Sequence, residues 1–417
     1  MSDRRRVVIT GMGVVTPLGN TVDVFWERLL AGQSGIAPIT SFDTGQFGTR
    51  FGGEARDFDP SKHFDKRVEK RLDRFAQMSV AAALDAFAAA GLRAGDERLD
   101  PTRVGAIVGS GIGGLKELEE QHLRLIDKGP SKVSAFTIPK LMINAASGNI
   151  SIMLGAKGPS TAVATACASA TNAMGDAMHA IRRGDVDVMI TGGAEAALTP
   201  LGMAAFGSMK ALSERNDDPA RASRPFDKDR DGFVMGEGAG MFIFEELEHA
   251  RKRGANILAE VIGFGTSADA YHITQPEEQG LGAAQALRAA LVDASVGPES
   301  VDYINAHGTS TPLGDVAETL AIKSVFGAHA YKLRISSTKS AIGHLLGASG
   351  GVELAATVQS IKNAVVHPTL NLENPGEGCD LNYTPLTAQD AKVEVAVSNS
   401  FGFGGHNACV VVRKFRS

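Results

Sequence analysis

Two stretches of the sequence share one pattern, and this repeat decides the fold. "SVAAALDAFAAAGL" (79–92) has the periodicity of a helix, and after a polar loop "RVGAIVGSG" (103–111) has that of a strand ending in a glycine turn. "GAAQALRAALVDASV" (282–296) and then "VDYINAHGTS" (301–310) show the same features in the same order. Short β-rich runs that alternate with helical patterns are typical of parallel βαβ units, in which helices cover the sheet.

Further segments extend the repeat without breaking its order along the chain. The matching pairs are "RVVITGMG" (6–13) with "ILAEVIGFG" (257–265) and "AGMFIFEE" (239–246) with "NACVVVRK" (407–414). We therefore predict an α/β protein of two similar halves, residues 1–255 and 256–417, packed as one rigid body. Residues 112–157 have no counterpart in the second half, and such an insertion usually carries a cap, a subunit contact or a binding surface.

The composition excludes several classes of function. The chain has 417 residues, of which 43% are hydrophobic, and a formal net charge of -5, so a large core is available and no basic surplus favours a nucleic-acid partner. No stretch approaches the ~18 unbroken apolar residues of a membrane span, and we predict none. Three scattered cysteines exclude a disulfide framework and favour a reducing, cytoplasmic location.

One of these cysteines occupies a chemically distinctive position. In "TACASATNAMG" (165–175), Cys167 follows a β-branched stretch and precedes a helical stripe formed by Met174, Ala177, Met178 and Ile181. A helix start offers unpaired N–H groups and a positive dipole end, so we expect a lowered thiol pKa and an ionised sulfur. These residues alone leave two interpretations open, a nucleophile or a small buried apolar side chain. Cys379 and Cys409 lack this context and are predicted to be structural.

The second half offers candidate partners for the thiol. His307 in "YINAHGTST" and His344 in "SSTKSAIGHLLGASGGVE" both follow predicted strands, where open α/β sheets hold their sites, and we expect His344 to open a helix. Lys339 could supply positive potential or orient a histidine, and Glu353 could lie beneath the site on the following helix. The glycine-rich "SNSFGFGGHN" (398–407) could approach a ligand closely and direct N–H groups at an oxyanion. A lone histidine is more often structural, so the pairing carries the argument.

Four of these segments together resemble a known family. "TACAS", "NAHGTSTPLGD", "SSTKSAIGHLLGASGGVE" and "NSFGFGGHN", in this order and spacing, resemble the β-ketoacyl-acyl-carrier-protein synthases of the thiolase fold, over essentially the whole chain. Residues 109–115, 223–240 and 374–383 are most similar to the synthase II group of type II fatty-acid synthesis. The resemblance implies two duplicated α/β halves packed as five layers, α-β-α-β-α.

The resemblance also implies an activity. It predicts an acyltransferase that holds an acyl chain as a cysteine thioester and condenses it, with loss of carbon dioxide, with malonyl-acyl-carrier protein. It implies a homodimer whose partner is the acyl carrier protein. No cofactor of its own is expected, because the carrier protein brings the phosphopantetheine arm.

Residue roles carry over by position. The resemblance assigns Cys167 as the nucleophile, His307 and His344 as the decarboxylation pair, Lys339 as the supporting lysine and Phe403 as the gate of the acyl pocket. The backbone N–H groups of Cys167 and Phe403 would hold the oxyanion. Substrate contacts are expected from Thr309, Thr311, Ile112 and Phe401. At position 406 this chain has His406 where relatives commonly have threonine, which would affect the loop and not the core roles.

Two further groups of residues follow from the same resemblance. Docking of the acidic carrier protein is assigned to a basic helical face and one outlying lysine: Lys66, Arg67, Lys70, Arg71 and Lys210. Taken alone, such a charge run is usually a solvated face. A buried polar cluster, which in some relatives holds a cation, comprises Asn305, Glu318, Glu353, Ser398 and Asn399. We treat this cluster as structural and predict no metal.

Three alternatives can be weighed on the sequence. Gly109, Gly111 and Gly114 form a G-x-G-x-x-G pattern, but nucleotide binding is disfavoured because no helix pattern is expected to begin at the third glycine. A non-catalytic partner similar to polyketide chain-length factors would lack the cysteine, so Cys167 argues against it. An active polyketide ketosynthase would share every catalytic residue, and this alternative stays open.

Overall fold

The structure is a computed structural model that describes residues 4–416. Within this range the strands are β1 (Val7–Val15), β2 (Ala37–Pro38), β3 (Phe51–Gly52), β4 (Val104–Gly109), β5 (Ser160–Val163), β6 (Val188–Glu195), β7 (Gly238–Glu246), β8 (Ala259–Ala268), β9 (Tyr303–Asn305), β10 (Arg334–Ser336), β11 (Val365–Val366), β12 (Gln389–Asp390), β13 (Val395–Gly402) and β14 (His406–Arg413). The α-helices are α1 (Val22–Leu30), α2 (Lys66–Glu69), α3 (Arg74–Ala89), α4 (Leu115–Lys128), α5 (Thr137–Leu141), α6 (Ala145–Leu154), α7 (Ser169–Arg183), α8 (Pro200–Ser208), α9 (Leu247–Lys252), α10 (Leu281–Ala294), α11 (Gly314–Phe326), α12 (Lys339–Ile342) and α13 (Ser349–Asn363).

The strand order shows the duplication directly. Ten strands form one sheet in the order β10-β9-β13-β14-β8-β1-β7-β6-β4-β5, with β1 and β8 antiparallel at its centre. Outward from the centre, each half presents the first, fifth, fourth, second and third of its own five strands. The repeat found in the sequence is therefore confirmed as a repeat of topology. The predicted boundary between residues 255 and 256 lies in the connection from α9 to β8.

Glycine and alanine at matching positions let each half pack its outer helix closely on its first strand. A Cβ at Gly11 or Gly13 of β1 would lie 2.1 or 2.0 Å from a backbone oxygen of α3. The equivalent Gly263 and Gly265 of β8 lie as close to α10, where a Cβ would come within 2.4 or 2.3 Å of backbone oxygens. No side chain fits at these positions, which explains the shared "G-x-G" of the two strands.

The helices complete five layers. α3 packs on β1 and β7, and α10 packs on β8 and β14, so these helices form the outer layers. Between the two five-stranded halves lie α7 and α13: α7 contacts β4 and β6 on one side and β14 on the other, and α13 contacts β7 and β13. The expected α-β-α-β-α arrangement is confirmed. It places the N-terminal ends of α7 and α13, one from each half, at the centre of the molecule.

The insertion at residues 112–157 contains α4, α5 and α6. The expectation that no helix begins at the third glycine was wrong, because α4 starts at Leu115 directly after Gly114. Gly114 offers no side chain to cap the helix, so the usual signal of a helix start is missing. The insertion leaves large apolar side chains in solvent, namely Ile126, Ile138 and Ile152. Across residues 4–416, no helix combines the length and apolar character that a bilayer crossing needs.

Candidate active site

The nucleophile candidate lies on a strained turn between β5 and α7. Ala166, just before Cys167, has φ 49°, a left-handed conformation that costs a non-glycine residue about 1–2 kcal/mol. The Ser169 hydroxyl holds this turn, because it donates to the Ala166 carbonyl (2.6 Å) and accepts from the Thr165 N–H (2.9 Å). The turn fixes Cys167 in a buried position at the start of a central helix.

Both predicted histidines meet the cysteine. His344 Nε2 is 3.0 Å from Cys167 Sγ, and the His307 and His344 rings are 5.3 Å apart and nearly perpendicular. His307 follows β9, as expected. His344 does not open a helix, contrary to the prediction. His344 lies in the turn between α12 and α13. The residue before it, Gly343, has a positive φ and an extended ψ, and this conformation ends α12.

The partners of each ring fix its tautomer. His344 Nδ1 accepts from the Leu346 N–H (3.2 Å) and lies 2.9 Å from the Ser349 hydroxyl, and a backbone amide can only donate. His307 Nδ1 is 3.3 Å from the Lys339 ammonium, which also can only donate. Both rings therefore carry their proton on Nε2. Burial and the Lys339 charge hold the pKa of each histidine well below its ordinary value, so both are neutral N–H donors.

Lys339 connects the two sides of this cluster. It is the first residue of α12, it is buried, and its ammonium donates to the His307 carbonyl (2.6 Å). The same ammonium forms an ion pair with Glu353 of α13, which lies beneath the site as the sequence suggested. Burial raises the pKa of Glu353, and the Lys339 charge opposes this shift. Lys339 thus contacts the ring and carbonyl of His307 and forms an ion pair with Glu353.

The expectation of an ionised Cys167 was wrong. Burial raises the pKa of this thiol to about 11, against the opposing effects of the Lys339 charge and the Phe403 N–H. The helix start gives little help, because the Ala168 and Ser169 N–H groups already donate to the carbonyls of Thr165 and Ala166. The thiol is therefore neutral and lies among neutral imidazoles.

This raised pKa predicts how the cysteine reacts with iodoacetamide. Only the thiolate is alkylated, so the rate at Cys167 should rise about tenfold per pH unit from pH 7 to 10 without a plateau. The rate is measured from the mass of the modified protein at each pH, with Cys167→Ser as the background. A plateau that begins near pH 7 would show that the thiol is ionised after all.

A cavity of about 660 Å³ opens at the cluster. Its lining includes the predicted residues Cys167, His307, His344, Thr309, Thr311, Phe401, Phe403 and Lys210. It also includes Phe206, Phe233 and Leu346, which the sequence analysis missed because isolated apolar residues look like core. Ile112, predicted to contact substrate, is absent from this lining. It packs in an apolar cluster with Phe233 and Leu346, directly behind the cavity wall.

The glycine-rich loop approaches the cysteine at its backbone. A Cβ at Gly402 would lie 2.9 Å from the Cys167 nitrogen, so only glycine permits this contact. The Phe403 N–H reaches the sulfur of Cys167. A second loop at residues 269–280, which the sequence did not reveal, holds the first: Gly404 N–H donates to the Ile273 carbonyl (2.7 Å). His406 is exposed beside Gly404.

The polar cluster surrounds the histidines from behind. Glu318 accepts from the N–H groups of His307 (2.8 Å) and Gly308 (2.7 Å), and Asn305 donates to the Glu353 carbonyl (3.2 Å). Three buried oxygens of this cluster find no hydrogen-bond partner among the described residues, namely Glu353 Oε2, Ser398 Oγ and Asn399 Oδ1. Such oxygens fit a hard cation.

A second set of atoms has metal-ligand spacing. The donor atoms of Cys167, His307 and His344 lie within 4.8 Å of one another, which would suit a softer ion. The prediction of a protein without metal stays a prediction.

The docking residues are all exposed. α2 ends at Glu69, so Lys66 and Arg67 lie on a helix of four residues, and Lys70 and Arg71 follow it. The single basic helical face that was expected is therefore a helix and its following turn. The Arg71 guanidinium lies 5.2 Å from the ring centre of Phe136 in the insertion.

Family profiles divide the chain into the same two halves as the structure. The profile of the β-ketoacyl synthase N-terminal domain matches residues 4–250, and that of the β-ketoacyl synthase C-terminal domain matches residues 258–373. The chain is 52% identical to a 3-oxoacyl-(acyl-carrier-protein) synthase 2 of Synechocystis sp. over 99% of both proteins. It is 50% identical to the protein of the same name from Staphylococcus aureus over 100% of both.

Solved structures of ketosynthases have the same fold as this chain. A β-ketoacyl synthase from Burkholderia phymatum superposes with a TM-score of 0.92 at 36% identity, covering 99% of this chain and 100% of that one. A ketosynthase in complex with its type II polyketide acyl-carrier protein gives 0.92 at 34% identity, with the same coverage.

Proposed function

The chain belongs to the β-ketoacyl synthase family, and we propose that it lengthens acyl chains in fatty-acid synthesis by decarboxylative condensation. The substrates are an acyl chain and a malonyl group, each carried as a thioester on acyl carrier protein. The product is the β-ketoacyl thioester, longer by two carbons. Full-length identity of about 50% to proteins named 3-oxoacyl-(acyl-carrier-protein) synthase 2 supports this substrate class.

Acyl transfer comes first and uses Cys167. The sulfur attacks the thioester carbonyl of the acyl carrier protein, the new C–S bond forms, and the bond to the pantetheine sulfur breaks. The thiol proton ends on the departing pantetheine thiol. The negative oxygen of the tetrahedral intermediate is held by the N–H groups of Cys167 and Phe403, which the close approach of Gly402 brings together.

Decarboxylation and condensation follow and use the histidines. The carbon–carboxylate bond of the malonyl group breaks, carbon dioxide leaves, and the electron pair forms a thioester enolate. The Nε2–H groups of His307 and His344 donate to the enolate oxygen, and neutral donors do this without protonating the carbanion. The enolate carbon then attacks the acyl carbonyl, and Cys167 leaves and takes up one proton.

Lys339 acts through His307 and is a positioning residue in this scheme. Its contacts with the His307 ring and carbonyl keep the proton on His307 Nε2. A cation, if bound by Glu353, Ser398 and Asn399, would supply positive charge that keeps Glu353 ionised. The phosphopantetheine arm arrives on the carrier protein, and we propose that Thr309 and Thr311 in the cavity wall contact it.

One observation carries this function: two buried neutral imidazoles, with their tautomers fixed by donors, present Nε2–H beside a buried thiol. The test is intact-mass analysis of the purified protein after incubation with acyl-carrier-protein thioesters of several lengths. We expect an adduct of the acyl mass on the peptide containing Cys167, and its loss with formation of β-ketoacyl product on adding malonyl-acyl-carrier protein. An unmodified protein or an adduct elsewhere would refute the function.

The partner that delivers both substrates is an acyl carrier protein. A structural neighbour is a ketosynthase in complex with its acyl-carrier protein, which supports this class of partner. The exposed Lys66, Arg67, Lys70 and Arg71 offer positive charge to an acidic surface, and Lys210 stands in the cavity wall.

Charge reversal tests this surface. Changing Lys66, Arg67, Lys70 and Arg71 together to glutamate should raise the KM for carrier-bound substrates by about tenfold or more, because four attractive charges become repulsive. Small thioester mimics need no docking, so their KM should stay unchanged. The matched control reverses Lys392, an exposed lysine near the C-terminus. Equal effects on both substrate types would contradict docking at this surface.

We propose that the working enzyme is a homodimer. β5 is the outermost strand of its half of the sheet and is partly exposed at Ser160 and Thr161, so a copy of the strand could pair with it. The exposed Ile138 and Ile152 of the insertion would be covered in the same assembly.

The polyketide alternative has less support. A polyketide ketosynthase among the structural neighbours is 34% identical to this chain, against 50–52% for the proteins named 3-oxoacyl-(acyl-carrier-protein) synthase 2 over similar coverage. A polyketide ketosynthase would use the same catalytic residues, so the two alternatives differ in the kind of acyl chain that the protein extends.

A further inference from the structure

A buried carboxylate behind the cavity wall has no part in the reaction described above. Glu195 is the last residue of β6 and is fully buried. It accepts from the Ser110 hydroxyl (2.9 Å) and from the N–H groups of Gly111 (2.7 Å), Ile112 (3.2 Å) and Gly347 (3.1 Å). With the Gly113 N–H (3.4 Å), four donors belong to the turn after β4 in the first half, and the fifth, Gly347, belongs to the second half. Glu195 thus joins the two halves beside the site.

The surroundings of Glu195 are built to fit a carboxylate. A Cβ at Gly111 would lie 2.9 Å from Glu195 Oε2, and one at Gly347 would lie 2.6 Å from it, so glycine at both positions admits the acid. Burial raises the pKa of Glu195, and the backbone N–H groups and the Ser110 hydroxyl oppose this. Because these N–H groups already donate to Glu195, they are not free to bind a phosphate. This excludes nucleotide binding at the G-x-G-x-x-G pattern.

The groups that Glu195 holds adjoin residues that line the cavity. Ile112 packs with Phe233 and Leu346, and the last two line the cavity. Leu346 has φ 49°, and its N–H fixes the tautomer of His344. One carboxylate therefore anchors Ile112 on one side and the Leu346–Gly347 turn on the other.

We infer that Glu195 is a positioning residue that sets the acyl chain length, by holding Ile112 against the Leu346–Gly347 turn as a wall that long chains must part. This inference rests on the proposed function, because the chain in question is the one carried on Cys167. A short acyl chain fits in the cavity as it stands. We expect a long chain to displace the apolar side chains at this wall, where Phe233 and Leu346 line the cavity and Ile112 packs against their cluster.

The replacement Glu195→Gln weakens the wall in a defined way. Oε1 accepts from Ser110, Ile112 and Gly113, and Oε2 accepts from Gly111 and Gly347, so an amide nitrogen in either place faces a backbone N–H. In either orientation of the amide, the variant loses its hydrogen bonds to one side of the wall, either to Ile112 or to Gly347. We expect the ratio of Cys167 acylation rates, hexadecanoyl over hexanoyl carrier protein, to rise about tenfold, the effect of losing one strong hydrogen bond to a charged group.

The measurement is the rate of adduct formation by intact mass for both chain lengths, together with malonyl decarboxylation. Decarboxylation should fall as well, because the turn that orients His344 is loosened. Glu245→Gln is the matched control: it is another buried carboxylate, bound by Thr10 and Arg253 away from the cavity. We expect it to leave the ratio of rates unchanged.

Ser110→Ala is the second variant and covers the case that Glu195→Gln does not fold. It removes one donor and no charge, so the same ratio should rise by a smaller factor, about two- to fivefold. An unchanged ratio in the folded variants would overturn the inference. So would an equal rise in the Glu245→Gln control. If the wild-type protein forms no adduct at Cys167, the proposed function fails first.

Discussion

Replacing Cys167 by alanine should lower condensation by more than about 10³-fold, because no other group in the cavity can carry the acyl chain. Cys379 and Cys409 are buried in the second half and do not line the cavity. Decarboxylation of malonyl-acyl-carrier protein should persist at a measurable rate, since His307, His344 and Lys339 all remain. The two activities are followed separately, by β-ketoacyl product and by released carbon dioxide.

The small change in volume makes this variant informative. Alanine removes only the sulfur, and Ala166 and Ser169 keep the turn that presents position 167. Cys379→Ala is the matched control, because it deletes a buried thiol whose neighbour is the Thr319 hydroxyl, outside the cavity. Condensation that survives in Cys167→Ala, or that is lost equally in Cys379→Ala, would remove Cys167 from its role.

The sequence could predict the fold because the chain is duplicated. Each half repeats the same helix, strand and glycine order, and a pattern seen twice in one order is rarely accidental. The five layers were implied by the family resemblance, and the repeat is compatible with them. The sequence analysis missed α4, which begins after Gly114 without a capping side chain. It also missed the loop at residues 269–280, whose contacts with the glycine-rich loop join residues far apart in sequence, Gly404 with Ile273 and Asn407 with Asp269.

The sequence analysis predicted which residues form the site, but it predicted their protonation states less well. Cys167, His307, His344 and Lys339 stand out because reactive side chains follow strands in two mirrored halves. The thiol pKa was predicted in the wrong direction, since nothing in the local sequence reports how deeply a residue is buried or that Thr165 and Ala166 occupy the helix N–H groups. Desolvation outweighs a helix dipole whose donors are already in use.

Glu195 was missed for a related reason. An acid that ends an apolar strand, in "VMITGGAEAA" (188–197), is a visible signal, because an unpartnered charge in such a run would be costly. The donors that explain it come from residues 110–112 and 347, and only the fold brings them together. The signal could have marked the position without identifying its function.

The histidine pair gives the second large expected effect. His307→Ala and His344→Ala should each lower malonyl decarboxylation by about 10²-fold or more, the usual loss when one donor to a developing oxyanion is removed. The two variants should differ at the cysteine. His344 Nε2–H donates to Cys167 Sγ and stabilises the thiolate, so only His344→Ala should slow alkylation by iodoacetamide. Carbon dioxide release and alkylation rate are measured on the same preparations.

Glutamine at either position distinguishes donation from proton transfer. A glutamine side chain can place an N–H near the position of the lost Nε2–H but cannot take up a proton, so His307→Gln and His344→Gln should recover part of the decarboxylation lost in the alanine variants. The control is His179→Ala, which removes a half-buried histidine that packs edge-on against Phe264 and does not line the cavity; decarboxylation should be near normal. Glutamine variants as inactive as alanine would mean that the imidazoles move protons. Burial and the Lys339 charge leave both rings neutral, so donating a hydrogen bond is the only role this geometry gives them. Near-normal decarboxylation in either alanine variant would therefore mean that this pair does not bind the enolate oxygen.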